Sequence, residues 1–120
     1  MSLFQRKSFE LHSGGVADFK IECDDLTDED IETLAFIISK KVKFSKVIGV
    51  PTGGNRIEEA LLKYVSSEGP WLIVDDVLTT GTSMEEVKSL CDNTNIIGIV
   101  LFARGKCSYW IKPVFQIWED

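Results

Sequence analysis

The sequence is poor in the residues that define several large functional classes. It has a single histidine, His12, and three cysteines, Cys23, Cys91 and Cys107, with no CxxC pair among them. An odd set without a CxxC pair, in a chain with no signal peptide, points to reduced thiols that pack rather than react. No apolar run is long enough to span a bilayer, and no signal peptide is apparent, so a cytoplasmic protein without a membrane partner is expected. Excess positive charge is missing as well. A net charge of −6 argues against a nucleic-acid or membrane-surface binder, which would need a basic patch. It also means that a polyanionic ligand must be held by local amides, a metal and a few cations. The phosphate-binding patterns GxxxxGK[ST] and GxGxxG are absent, as are internal repeats and low-complexity linkers. What is left is ordinary for a soluble domain: 120 residues, 44% hydrophobic and 27% charged, enough for one domain over 1–120 with one core.

The informative stretch is Trp71 to Met84, WLIVDDVLTTGTSM. Trp71-Leu72-Ile73-Val74 is an unbroken apolar run that reads as a strand buried on both faces. It ends on Asp75 and Asp76, and Thr79-Thr80-Gly81-Thr82-Ser83 follows as a hydroxyl-rich turn. Ser83 is the expected helix N-cap, with Glu86 closing a capping box. A turn that feeds a helix start offers free amides and the positive end of the helix dipole, which favours a phosphate. Two carboxylates beside it can accept hydrogen bonds from sugar hydroxyls or hold a magnesium ion. The segment therefore reads as a grip on a phosphate and a ribose together. The plainer reading is a buried strand that runs into a solvated acidic loop.

Around this stretch the chain alternates strands and helices. Met1 to Lys7 reads as a poorly ordered lead-in. Ser8 to Leu11 and Asp18 to Cys23 alternate as two short strands about a Gly14-Gly15 turn. Thr27 caps a helix with acids in its first turn and Leu26 stapled to Ile31; Ile31, Leu34, Ala35, Ile38 and Val42 keep the helical period. Val47 to Val50 is the next buried strand, followed by Pro51-Thr52-Gly53-Gly54. A second helix is expected from Asn55 to Val65, with Ile57, Leu61 and Tyr64 or Val65 inward, and a third from Ser83 to about Cys91. Asn95 to Ala103 and Val114 to Trp118 complete the strands. The order implies an α/β fold, a parallel sheet flanked by helices with right-handed crossovers. Such sheets bind ligands at the carboxyl ends of their strands, where all the glycine-, threonine- and acid-rich turns here fall.

The run Trp71-Leu72-Ile73-Val74, Asp75-Asp76, Val77-Leu78, Thr79-Thr80-Gly81-Thr82-Ser83 resembles, without a gap, the 5-phosphoribosyl-1-diphosphate (PRPP) motif of the type I phosphoribosyltransferases. The resemblance extends to the orotate branch. Phe9 to Gly14 followed by Asp18 to Ile21 is similar to that branch's amino-terminal hood, giving a hood at about 8–24 and a core at about 25–120. It implies phosphoribosyl transfer to a base, orotate or a related pyrimidine, with magnesium as cofactor. A homodimer paired through the hood is expected, because so short a chain leaves its base pocket open. By the resemblance, Thr79, Thr80, Gly81, Thr82 and Ser83 hold the 5′-phosphate, and Asp75 and Asp76 are the catalytic acids that bind the ribose hydroxyls. The resemblance further implies that magnesium would be held between those hydroxyls and the diphosphate. Thr52, Gly53, Gly54 and Asn55 form the diphosphate loop, which in the family often contains a strained peptide bond; a plain glycine turn is the alternative. Arg104, just past the third strand of the sheet, matches a base-binding arginine, or is a solvated strand-end residue.

The sequence departs from the orotate pattern at three places. His12 stands where a base-contacting lysine often lies, and Lys20 where an aromatic residue commonly covers the base. Both are carried as base contacts, with a surface-turn role for His12 as the alternative. Between Gly54 and Trp71 there is no room for the family's mobile lid: the helix uses most of the interval and Ser66 to Pro70 is a tight connector. Arg56 and Lys63 are the only cations in it. An enzyme would have to exclude water in another way, through a partner subunit for example. The alternative function is a non-catalytic sensor or regulatory subunit that binds PRPP or a nucleotide.

Overall fold

The computed structural model describes residues 4–10, 16–21 and 26–117, the first two segments by their backbone alone. Elements follow in the order β1 (Phe4–Glu10), β2 (Val16–Ile21), α1 (Asp28–Lys41), β3 (Lys46–Gly49), α2 (Asn55–Leu61), a 3-10 turn (Leu62–Tyr64), β4 (Trp71–Leu78), α3 (Thr82–Ser89), β5 (Ile96–Ala103) and β6 (Ile111–Gln116). β3, β4, β5 and β6 form one parallel sheet in that spatial order. Helices flank this sheet, as the alternation of apolar runs and helical periods requires. β1 and β2 pair antiparallel as a separate two-stranded ladder. That ladder reaches back to Phe4, whose partner is Ile21, so the expected lead-in over Met1 to Lys7 is strand from Phe4 onward. The Gly14-Gly15 turn, His12, Cys23 and Trp118 lie outside the described residues.

α1 begins as its sequence dictates. The Thr27 hydroxyl accepts from the Asp30 amide at 3.0 Å, and the Asp30 carboxylate accepts from the Thr27 amide at 2.9 Å. Asp28, Glu29 and Asp30 sit at the positive end of the helix dipole and Lys40 and Lys41 at the negative end. Ile31, Leu34, Ala35 and Ile38 face the sheet and pack with Phe44, Val47, Ile57, Leu61, Leu72, Val74, Ile99 and Leu101. A second cluster on the α3 side joins Val50, Ile73, Leu78, Met84, Val100, Ala103, Trp110 and Ile111. Alternation along β4 supplies both clusters, Leu72 and Val74 to one and Ile73 to the other.

Two helix boundaries differ from the sequence reading. The second helix is regular only to Leu61 and tightens into a 3-10 turn that ends at Tyr64, which leaves Val65 exposed. The third helix starts at Thr82 with Gly81 as its cap, so Ser83 lies inside the first turn and no Ser83–Glu86 capping box forms. Gly81 explains the difference. At φ 86° it turns the chain in the left-handed region, and the helix begins at the next residue. No helix among the described residues is long and apolar enough to cross a membrane.

Phe44 is fully buried where α1 hands over to β3. Phe44→Ala is expected to cost about 3–5 kcal/mol of unfolding free energy, measured by denaturant titration. A loss under about 1 kcal/mol would contradict this packing.

Candidate functional site

The site is created by strands of unequal length. β3 pairs with β4 only as far as Gly49 opposite Val74, whereas β4 continues beside β5 to Leu78 opposite Ala103. The acids expected just beyond the strand are therefore inside it, on the stretch of β4 that β3 has left. Asp75 is buried at 9% exposure, the only buried charged side chain among the described residues, and Asp76 is half-buried. Their side chains serve two hollows. Asp76 lines a cavity of about 420 Å³ with Leu26, Ile31, Thr52, Gly53, Asn55, Arg56, Ile57 and Leu101. Asp75 lines a smaller hollow of about 40 Å³ with Val77, Leu78, Thr79, Thr80, Gly81, Thr82, Ser83 and Met84. The acidic pair is thus the wall between the glycine loop and the hydroxyl loop.

The glycine loop folds back into the gap that β3 leaves. The Val50 amide donates to the Val74 carbonyl at 2.8 Å, and the Gly54 amide donates to the Val50 carbonyl at 2.8 Å. Gly54 has no room for a side chain: a Cβ there would lie 2.5 Å from the Val74 carbonyl oxygen and 2.6 Å from the Val50 nitrogen. At Gly53 a Cβ would lie 2.5 Å from both Asp76 carboxylate oxygens, so glycine lets the loop and the acid share one wall. The Pro51–Thr52 peptide bond is cis. Thr52, Gly53 and Asn55 are exposed, and the Thr52 and Gly53 amides donate to no acceptor among the described residues.

The hydroxyl loop runs from Thr79 to Ser83. Thr79, Thr80, Thr82 and Ser83 are exposed, and the Thr80 and Gly81 amides donate to no acceptor among the described residues. Thr80 Oγ1 lies 3.1 Å from Thr82 Oγ1 and is also approached by the Thr82 amide at 3.4 Å, so the loop is braced across Gly81. Amides, hydroxyls and the start of α3 converge on one hollow and make it suited to an oxyanion. Arg104 adjoins this loop, its backbone amide donating to the Leu78 carbonyl at 2.9 Å. Lys20 falls in β2, whose side chains are not described, and His12 is outside the described residues.

Glu58 escaped the sequence reading, and Arg56 entered it only as one of two cations in the interval before Trp71. Glu58, one turn into α2, reaches back to accept from the Gly49 amide at 2.5 Å, and its own amide donates to Gly54. It ties both ends of the glycine loop together. Arg56 lines the Asp76 cavity while its Nη2 donates to the Leu26 carbonyl at 2.9 Å and to Asp28 Oδ1 at 3.2 Å. Both contacts cross between elements, so no spacing rule could reveal them. The short connector before β4 lies far from these groups. Ser66 donates from its amide to the Phe44 carbonyl at 2.8 Å, and the Ser45 hydroxyl donates to the Gly69 carbonyl at 2.8 Å, which pins the connector at the amino ends of the strands.

Burial is the chief reason the Asp75 carboxyl titrates at about 7 instead of 3.8, and hydrogen bonding with the adjacent Asp76 carboxyl adds to the rise. Among the described residues no group of three or more His, Cys, Asp or Glu side chains converges on a metal position. The pair still fits magnesium, because hard carboxylate oxygens commonly hold it together with substrate oxygens and water.

No protein-family model matches the sequence, and no curated protein matches it. Solved structures do. The chain is similar to orotate phosphoribosyltransferase from Aeropyrum pernix, with a TM-score of 0.75 and 22% identity over 96% of this chain and 88% of that one. It is similar to UMP synthase of Leishmania donovani, with a TM-score of 0.70 and 16% identity over 96% of this chain and 33% of the larger protein. Xanthine-guanine-hypoxanthine phosphoribosyltransferase of Helicobacter pylori also matches, with a TM-score of 0.54 and 16% identity over 75% of this chain and 82% of that one. The chain has the type I phosphoribosyltransferase fold, and the orotate enzymes are prominent among its structural neighbours.

Two outcomes follow from this geometry. A carboxyl whose pKa is raised by folding stays protonated in the native state while the unfolded chain ionises. Stability is therefore expected to fall as pH rises from about 4 through about 7 and then to level off. Asp75→Asn removes that slope, and thermal melts across this range check it; an unchanged slope would contradict the assignment. The two glycine loops separate by sterics. Gly81 has a positive φ but its nearest Cβ contact is 3.8 Å, so Gly81→Ala is expected to cost about 1 kcal/mol of strain. Gly54→Ala must push backbone apart and is expected to cost about 3 kcal/mol or more by denaturant titration.

Proposed function

We propose that the chain binds 5-phosphoribosyl-1-diphosphate and transfers its phosphoribosyl group to a nitrogenous base, orotate or a related pyrimidine, with release of diphosphate. One observation carries the reading: a single acidic pair forms the wall between two anion-suited hollows. PRPP has the matching form, a ribose with a phosphate on one side and a diphosphate on the other. Its ribose hydroxyls would donate to Asp75 and Asp76, its 5′-phosphate would take the amides and hydroxyls of Thr79 to Ser83, and its diphosphate would lie along Thr52 to Asn55. Arg104, beside the hydroxyl loop, would orient the base through paired hydrogen bonds; Lys20 and His12 are base contacts in the same reading.

The reaction is a displacement at the anomeric carbon. A ring nitrogen of the base forms the new C–N bond, the C–O bond to diphosphate breaks with its electron pair, and the ring N–H proton is lost. Positive charge develops on the ribose meanwhile, so ionised carboxylates beneath it stabilise the transition state by placement alone. Magnesium, when bound, supplies charge neutralisation for the leaving diphosphate. Ligand binding needs Asp75 ionised, so PRPP affinity in the presence of magnesium should rise as pH passes through about 7.

The pinned connector favours a second reading, a non-catalytic sensor that keeps the pocket without the lid. Diphosphate release from PRPP with magnesium, across a panel of bases that includes orotate, distinguishes the two. Release with one base supports the transferase; tight binding with no release supports the sensor. Under either reading, the double change Asp75→Asn with Asp76→Asn should abolish PRPP binding while the chain stays folded. Retained affinity would overturn the site.

A further inference from the structure

We infer that Arg56 is the cation that grips the diphosphate end of the ligand in the Asp76 cavity, an inference that rests on the phosphoribosyl reading above. The cavity is divided by chemistry. Leu26, Ile31, Ile57 and Leu101 form an apolar part, whereas Thr52, Gly53, Asn55, Arg56 and Asp76 form a polar one. Arg56 is the only cation lining it among the described residues. Lys63, the other cation between the glycine loop and β4, is engaged by Glu32 instead.

The Arg56 guanidinium is held and yet open. Only Nη2 is used, on the Leu26 carbonyl and Asp28 Oδ1, so Nε and Nη1 donate to no acceptor among the described residues. The backbone carbonyl fixes the fork, while the Asp28 contact is an exposed pair, with the aspartate side chain at 103% relative exposure and the arginine at 42%. Such a pair is weak and exchanges readily for a stronger anion. Thr52 and Gly53, whose amides donate to no acceptor among the described residues, line the same cavity. A guanidinium fork and backbone amides suit the fixed oxygen geometry of a diphosphate. Asp76 shares that wall and would repel a bare anion; its carboxylate would hold magnesium together with the ligand's oxygens, and the metal would supply charge neutralisation there. In a chain of net charge −6, this local set offsets a repulsive overall field.

Calorimetric titration with inorganic diphosphate, PRPP and ribose 5-phosphate, each with magnesium, tests the inference. Arg56→Gln is expected to weaken diphosphate and PRPP roughly 10- to 100-fold. It should leave ribose 5-phosphate unchanged, because that ligand has no diphosphate, and the unchanged value doubles as proof of an intact fold. Arg56→Lys, which keeps the charge and loses the fork, should fall between the two. Arg56→Gln that binds diphosphate and PRPP like the wild type would overturn the role of Arg56 alone. Equal losses for all three ligands would reduce Arg56 to a structural tie. A wild-type chain that binds no PRPP would overturn the phosphoribosyl reading and this inference with it.

Discussion

The parting of β3 from β4 after Val74 is the constraint on which the site depends. While the two strands run together, their amides and carbonyls satisfy each other and the surfaces between helices and sheet are apolar. Beyond Val74, β4 keeps only β5 as a neighbour, and the vacated edge has to be filled. The glycine loop fills it by turning back through Val50 and Gly54, the latter a residue for which a side chain would collide with Val74. The acidic pair falls on that same stretch. Loop closure and placement of the acidic pair are therefore one structural event, and a bulkier residue at Gly53 or Gly54 would disturb both.

The second consequence is electrostatic. A carboxyl held at 9% exposure gives up hydration, which is why Asp75 ionises near neutrality. That cost is borne by the empty protein. Under the proposed function, a ribose that donates hydroxyls, or a magnesium ion, would compensate the buried charge and make the site more favourable with its ligand than without it. With negative groups at the centre, the proposed ligand would require positive or donor groups at both ends. In the proposed complex the open amides around Gly81 would serve one end, and those of Thr52 and Gly53 with Arg56 the other.

Much of this arrangement was legible from local sequence. The apolar run of β4, the Thr27 cap with its acidic first turn and the succession of strands and helices each depend on neighbours in the chain, and they fold as their residue types dictate. The capping of α3 was not legible, because Ser83 and Glu86 satisfy the capping pattern while Gly81 ends the turn first. The inclusion of Asp75 and Asp76 in the strand was hidden too, since it depends on how far β5 extends rather than on the acids themselves. Glu58 and Arg56 act through contacts between elements, with Gly49 and with Leu26 and Asp28, that no periodicity encodes. The glycine loop and the hydroxyl loop were legible as turns at the carboxyl ends of strands, because glycine and hydroxylated residues interrupt the apolar runs there.

The most direct test is a crystal structure of the chain with PRPP and magnesium. The account predicts the 5′-phosphate over Thr79 to Ser83, the ribose hydroxyls on Asp75 and Asp76, and the diphosphate between Gly53 and Arg56. A ligand bound elsewhere, or one whose phosphate and diphosphate lie in the same hollow, would contradict it.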